Sequence, residues 1–222
     1  MCIRDSPYIV RTRIKFCGLT HSDDVSAAIG LGADAIGFNC YKGSRRFVSI
    51  ETLSGLSAVV PAFVVRVGVF VNPDRKAVRS ALPYLDQLQF HGDETAEFCG
   101  SFERPYMKAV RVSSTLEVPS LASDYPDARA VLIDKHTTKR TGEVVFGGSG
   151  ETVTWHHVSS DVPLVLAGGL DADNVATAIC SVRPFAVDVA SGIESANETP
   201  GRKSRQIMSA FVAAVRQADM EN

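Results

Sequence analysis

Val10-Arg11-Thr12-Arg13-Ile14-Lys15-Phe16-Cys17-Gly18-Leu19-Thr20 carries the pattern on which the fold turns. Residues 10–17 alternate in character, as a strand does. Gly18 breaks the run, and Thr20-His21-Ser22-Asp23 opens the next segment in the manner of a capping box, predicting a helix. Cys17 therefore sits at the C-terminal end of a strand, just before a helix. In chains that repeat this unit, that edge is where chemical groups gather. The thiol is a candidate nucleophile or base, set against the plainer reading of a buried cysteine as a small hydrophobe.

The unit does repeat. Apolar, β-branched runs at 10–17, 33–39, 63–71, 86–90, 106–111, 129–134, 162–167 and 184–190 read as strands. Amphipathic stretches lie between them, among them Asp24–Leu31, Ile50–Val60, Arg75–Leu82, Glu94–Phe102, Asn174–Cys180 and Lys203–Val215. Eight strand–helix units in 222 residues match an α/β fold, a single-domain (β/α)8 TIM barrel over residues 9–222. An open doubly wound sheet is the alternative, but the first strand is not followed by GxGxxG. Residues 1–8 lack a hydrophobic signal core and are set apart as an N-terminal extension. The long Thr- and Gly-rich piece from Lys135 to Gly150 reads as a functional or mobile loop after the sixth strand, with Trp155, His156 and His157 opening the sixth helix as packing and surface residues.

Composition narrows the class. Net charge is −2 and no basic or acidic run stands out, which argues against nucleic acid and anionic membrane as partners. No apolar stretch approaches the roughly 18 residues of a membrane helix. The five cysteines (2, 17, 40, 99 and 180) are scattered and form no CxxC, so neither a disulfide framework nor a zinc site is expected and a reducing cytoplasm is. Arg79, Glu97, Glu103, Arg202, Lys203 and Arg205 read as outer helix faces.

Further candidates occupy the same strand ends. Gly168-Gly169 follow the seventh strand and Ser191-Gly192 the eighth, where barrels frequently bind phosphate through backbone N–H groups. Tight turns alone would also explain those glycines. Asp171 is placed to cap the following helix. Asp134 closes the run Ala130-Val131-Leu132-Ile133 and is a general acid if desolvated, or a cap or salt bridge if not. His91 shares a strand face with Gln87 and Gln89, as a substrate contact or as hydrogen-bonded structure. Arg46, after the second strand, suits a bidentate grip on a carboxylate, and Arg45 reads as solvated. Alternation puts Lys15 on the face of Cys17, and barrel closure brings it beside Asp188 of the eighth strand, predicting a buried ion pair; the plainer reading has Lys15 reaching solvent and Asp188 ordering the phosphate loop.

These residues in this order resemble the phosphoribosylanthranilate isomerase family, the small (β/α)8 enzymes of tryptophan biosynthesis, from about Arg13 onward. The resemblance rests on Lys15-Phe16-Cys17-Gly18-Leu19-Thr20, Ser44-Arg45-Arg46-Phe47-Val48-Ser49, Leu88-Gln89-Phe90-His91-Gly92-Asp93-Glu94, Gly147-Gly148-Ser149-Gly150, Leu166-Ala167-Gly168-Gly169-Leu170 and Val187-Asp188-Val189-Ala190-Ser191-Gly192-Ile193-Glu194. Cys40 stands where the family has an aromatic, and Val153-Thr154-Trp155 where it tends to Phe-Asp-Trp. The resemblance implies an Amadori rearrangement of a phosphosugar substrate, with Asp134 as general acid and Cys17 as general base. It implies Arg46 on the substrate carboxylate, phosphate held around Gly148, Gly168, Gly169, Ser191 and Gly192, and His91 and Asp188 among the substrate-binding residues. No metal or cofactor is expected, because the substrate nitrogen is the electron sink. Such an enzyme would be a cytoplasmic monomer or homodimer. A free thiol near pKa 8.5 is only slightly ionised at neutral pH, so its site is expected to lower that value.

Overall fold

A computed structural model describes residues 11–112, 124–135, 162–195 and 201–221. Eight parallel strands close into a barrel in chain order: β1 (Arg13–Cys17), β2 (Ala35–Asn39), β3 (Val65–Phe70), β4 (Gln87–Phe90), β5 (Tyr106–Val112), β6 (Ala130–Lys135), β7 (Leu164–Ala167) and β8 (Ala186–Val189). Pairing of β1 with both β2 and β8 excludes the open sheet. The described helices are α1 (Ser22–Gly30), α2 (Ile50–Ala58), α3 (Arg75–Ala81), α4 (Ala96–Gly100), α5 (Val175–Val182) and α6 (Arg205–Glu221). Gly148, Trp155, His156, His157 and the loop at 136–150 lie outside the described residues, as does the leader at 1–8.

Parallel strands are covered on both faces, which is why they read as nearly continuous apolar runs. One set of strand residues, including Ile14, Phe16, Ile36, Phe38, Leu88, Phe90, Val187 and Val189, packs with Val25, Leu53, Val78, Phe211 and Val215 of the helices. Each such side chain, fully buried, contributes about 1.5–3 kcal/mol. The alternate set is smaller: Val67, Met107, Ala109, Ala130, Leu132, Val165, Ala167 and Ala186 fill the barrel itself. Alanine dominates there because eight converging strands leave little width. That plug closes the lower barrel. The C-terminal strand ends above it are left for polar groups.

Ser49, Asp74 and Thr95 cap α2, α3 and α4 by accepting the N–H of Thr52, Ala77 and Phe98. The capping box expected before α1 does not form, since the N-cap is His21 and it makes no side-chain cap bond. Asp24 of that first turn is instead buried and accepts from the Lys203 backbone and from Arg202. Asp171 caps a turn rather than the helix, accepting the N–H groups of Asp173 and Asn174 just ahead of α5. Arg79, Glu97, Glu103 and Arg205 are exposed as expected, but Lys203 is buried. It precedes α6 and turns inward beneath the barrel mouth, so its reading as an outer-face charge is corrected.

Candidate active site

Cys17 ends β1 and is 8% exposed, lining a cavity of about 460 Å³ at the barrel mouth. Lys15, two residues earlier on the same face, lies in register with Asp188 of β8. Its Nζ donates to Asp188 Oδ1 at 2.8 Å, with the side chains 4% and 8% exposed. The pair inferred from alternation is thus present and buried. Gly37 of β2 makes room for it: a Cβ there would stand 2.7 Å from the Cys17 sulfur and 3.1 Å from the Lys15 nitrogen. Burial on its own would pull the Lys15 ammonium down, yet Asp188 and Cys17 hold it above its ordinary value. The thiol runs against expectation. Burial, with Asp188, pushes Cys17 up, and Lys15 and Lys203 only partly offset this.

The same cavity is lined by Asp134, Arg46, His91, Gly168, Gly169, Asp188 and Ser191. Seven candidates from five other parts of the sequence thus meet Cys17 in one place. Gly168 and Gly169 have φ of +86° and +67°, the left-handed region that favours glycine. Gly192 does not line the cavity. Its Cα packs against the Leu170 carbonyl so closely that a Cβ would overlap it, which draws the turns after β7 and β8 together.

Across the mouth, His91 Nε2 and Asp134 Oδ2 are 3.1 Å apart, and Gln89 Nε2 lies 3.3 Å from His91 Nδ1. Gln89, His91 and Asp134 therefore form a chain from β4 to the end of β6. If the Gln89 amide donates to Nδ1, His91 is the neutral tautomer that presents Nε2–H to the carboxylate. Glu94 supports this wall from below. It is buried, accepts the N–H groups of Asn72 (2.8 Å) and Gly92 (3.0 Å), and pairs with buried Lys108 at 2.9 Å.

Sequence reading missed Glu194 and Lys203. Arg46 Nε donates to Glu194 Oε1 at 2.5 Å, and Arg45 to Oε2 at 2.6 Å. Arg45, read as solvated, is thus half of a clamp, although its side chain is 56% exposed. Burial works against ionising Glu194, but Arg46, Lys203 and Arg45 hold its carboxyl below the usual range. Burial draws Lys203 down to about 8. The only signal in the chain was charge in a segment just after the eighth strand, which also fits a solvated loop. Among the described residues no three or more His, Cys, Asp or Glu side chains gather as a metal site, and no helix is long and apolar enough to cross a membrane.

Fold and cavity together define a (β/α)8-barrel enzyme whose candidate site lies at the C-terminal strand ends. Residues 14–214 match the family model for N-(5′-phosphoribosyl)anthranilate isomerase, and the chain belongs to this family of isomerases. It is 46% identical over 215 residues to the N-(5′-phosphoribosyl)anthranilate isomerase of Dechloromonas aromatica, covering 95% of this chain and 99% of that one. The crystal structure of phosphoribosylanthranilate isomerase from Thermotoga maritima superposes with a TM-score of 0.80 at 35% identity, covering 93% of this chain and 99% of that one. Another structure of the family, in complex with reduced 1-(o-carboxyphenylamino)-1-deoxyribulose 5-phosphate, gives 0.74 at 33% identity with the same coverage.

Proposed function

We propose that this chain converts N-(5′-phosphoribosyl)anthranilate into 1-(2-carboxyphenylamino)-1-deoxyribulose 5-phosphate, the Amadori step of tryptophan biosynthesis in the cytoplasm. The observation that carries the reading is the shared cavity: a thiol beside a lysine, a carboxyl beside a histidine, an arginine, the Gly168-Gly169 turn and Ser191 all face one space. Asp134 acts as the general acid. It gives its proton to the furanose ring oxygen as the C1′–O bond breaks, leaving a C1′–nitrogen iminium. Cys17 acts as the general base. Its thiolate takes the C2′ proton, the freed electron pair forms C1′–C2′ and neutralises the nitrogen, and the enolamine tautomerises to the ketone. The proton lost by Asp134 and the one gained by Cys17 are exchanged with solvent before the next turnover.

Arg46 meets the anthranilate carboxylate. The backbone of Gly168, Gly169 and Ser191 meets the phosphate, with Gly192 fixing the approach of those turns and Gly148 contributing from outside the described residues. His91 contacts the opened sugar beside Asp134, and Asp188 holds Lys15 beneath the thiol. Loss of the substrate's anthranilate fluorescence on adding purified protein tests the reading, with Cys17→Ser and Asp134→Asn as controls. Turnover by wild type and its collapse in both variants supports it. Undiminished turnover in either variant refutes that residue's role.

A further inference from the structure

Glu194 and Lys203 take no part in the acid–base scheme, yet both sit among several charged and polar partners near the cavity. Glu194 Oε1 accepts both Arg46 Nε at 2.5 Å and Lys203 Nζ at 3.3 Å. The Lys203 side chain is 0% exposed, and its ammonium also donates to the Ala190 carbonyl at 2.8 Å, immediately before Ser191. The two backbones are joined as well. Glu194 and Lys203 form an antiparallel bridge, flanked by Ser195 N–H to Arg202 O and Ser204 N–H to Ile193 O. Asp24 of α1 anchors the Lys203 backbone N–H. A buried ammonium must be partnered; both its partners lie in the segment after β8, and Glu194 carries the contact on to Arg46 in the loop after β2. Holding Arg46 through Nε leaves the terminal nitrogens of its guanidinium to meet a second carboxylate.

We propose that Lys203 and Glu194 are positioning residues that set the spacing between the carboxylate-binding and phosphate-binding ends of the site. Lys203 fixes the Ala190 carbonyl, and through it the N–H groups of Ser191 and Gly192. Glu194 fixes Arg46, and the shared ammonium locks the two together. This rests on the reading above of which end of the substrate meets which loop.

The test measures calorimetric affinities for inorganic phosphate and for anthranilate, each alone, in wild type, Lys203→Met and Glu194→Gln, together with KM and kcat. Lys203→Met is expected to weaken both probes by about tenfold or more, the scale of a lost charge-assisted contact, and to raise KM more than it lowers kcat. Glu194→Gln is expected to weaken anthranilate alone. A folded Lys203→Met protein that binds either probe as wild type does overturns the link. Should that variant fail to fold, unchanged anthranilate affinity in Glu194→Gln overturns it instead. Probe affinities that behave as expected in a protein unable to isomerise phosphoribosylanthranilate would sink the activity and keep the link, and turnover with unaltered probe affinities would do the reverse.

Discussion

Around β1, β2 and β8 the barrel mouth is built of full ion pairs, Lys15 with Asp188 and Arg45, Arg46 and Lys203 on Glu194. Around β4 and β6 it is built of Gln89, His91 and Asp134, joined by contacts of 3.3 and 3.1 Å. The difference fits the roles proposed above for the two halves. A base that works as a thiolate in a buried place needs cations nearby, because burial favours the neutral thiol. An acid must keep its proton until the ring oxygen takes it, and a fixed ammonium beside it would hold it ionised. Asp134 has an imidazole for a neighbour instead. Lys15 and Lys203 stand on the side of the sulfur, whereas Lys108 on the other side is paired with Glu94.

The largest effects should come from removing the reactive group on either side. General acid–base groups typically contribute about 10²–10⁴-fold, so Cys17→Ser and Asp134→Asn should each lower kcat by that order with the fold retained. Steady-state rates and circular dichroism check this, and a rate within severalfold of wild type would erase the distinction. Next in size is stability on the ion-paired side. Removing one member of a buried pair costs about 3–5 kcal/mol, so Lys15→Met should unfold at clearly lower denaturant concentration. A wild-type midpoint would mean the pair is not structural.

Smaller effects separate the arginines. Arg46→Ala should raise KM by about tenfold or more through loss of a bidentate contact. Arg45→Ala should change it less, because exposed ion pairs are worth about 0–1 kcal/mol. Equal effects would reduce the loop to a general positive field. Acid unfolding gives a further, smaller signal. The Glu194 carboxyl is held below its ordinary value, so its contribution to stability is present above the unfolded pKa, about 4.3, and is lost as pH falls through the lower folded value. Glu194→Gln should therefore flatten the acid limb of a Tm–pH curve below about pH 4.3, and an unchanged limb would exclude that linkage. The smallest effect is expected at exposed Cys180, where serine should alter neither rate nor Tm. Cys99→Ser should keep the rate per folded molecule but lower Tm, because that sulfur is fully buried in the core.

The strands were legible because burial on both faces makes them apolar runs that repeat at regular intervals, and each observed strand falls within a residue or so of its expected bounds or starts a few residues late. The Lys15–Asp188 pair was legible too, since alternation and barrel closure alone bring the two together. Helix starts were less so. A Thr-x-x-Asp pattern at Thr20 looks like a capping box, but the Thr20 hydroxyl contacts His21 Nδ1 at 2.9 Å instead. Lys203 was hidden for another reason. A lysine just before an amphipathic helix looks solvated, and only the antiparallel bridge to Glu194 turns it inward. The thiol's ionisation was misjudged because the sign depends on burial depth, which spacing in a sequence does not show.

The pH dependence of kcat/KM in wild type, Lys15→Met and Asp188→Asn tests the ion-paired half most directly. Lys15 lowers the Cys17 pKa and Asp188 raises it. The limb belonging to the base should therefore move to higher pH in Lys15→Met and to lower pH in Asp188→Asn. General damage to the fold cannot shift one limb in two directions. Opposite shifts are the expected result, and limbs that coincide in all three proteins, or move the same way in both variants, would contradict Cys17 as a base tuned by its lysine.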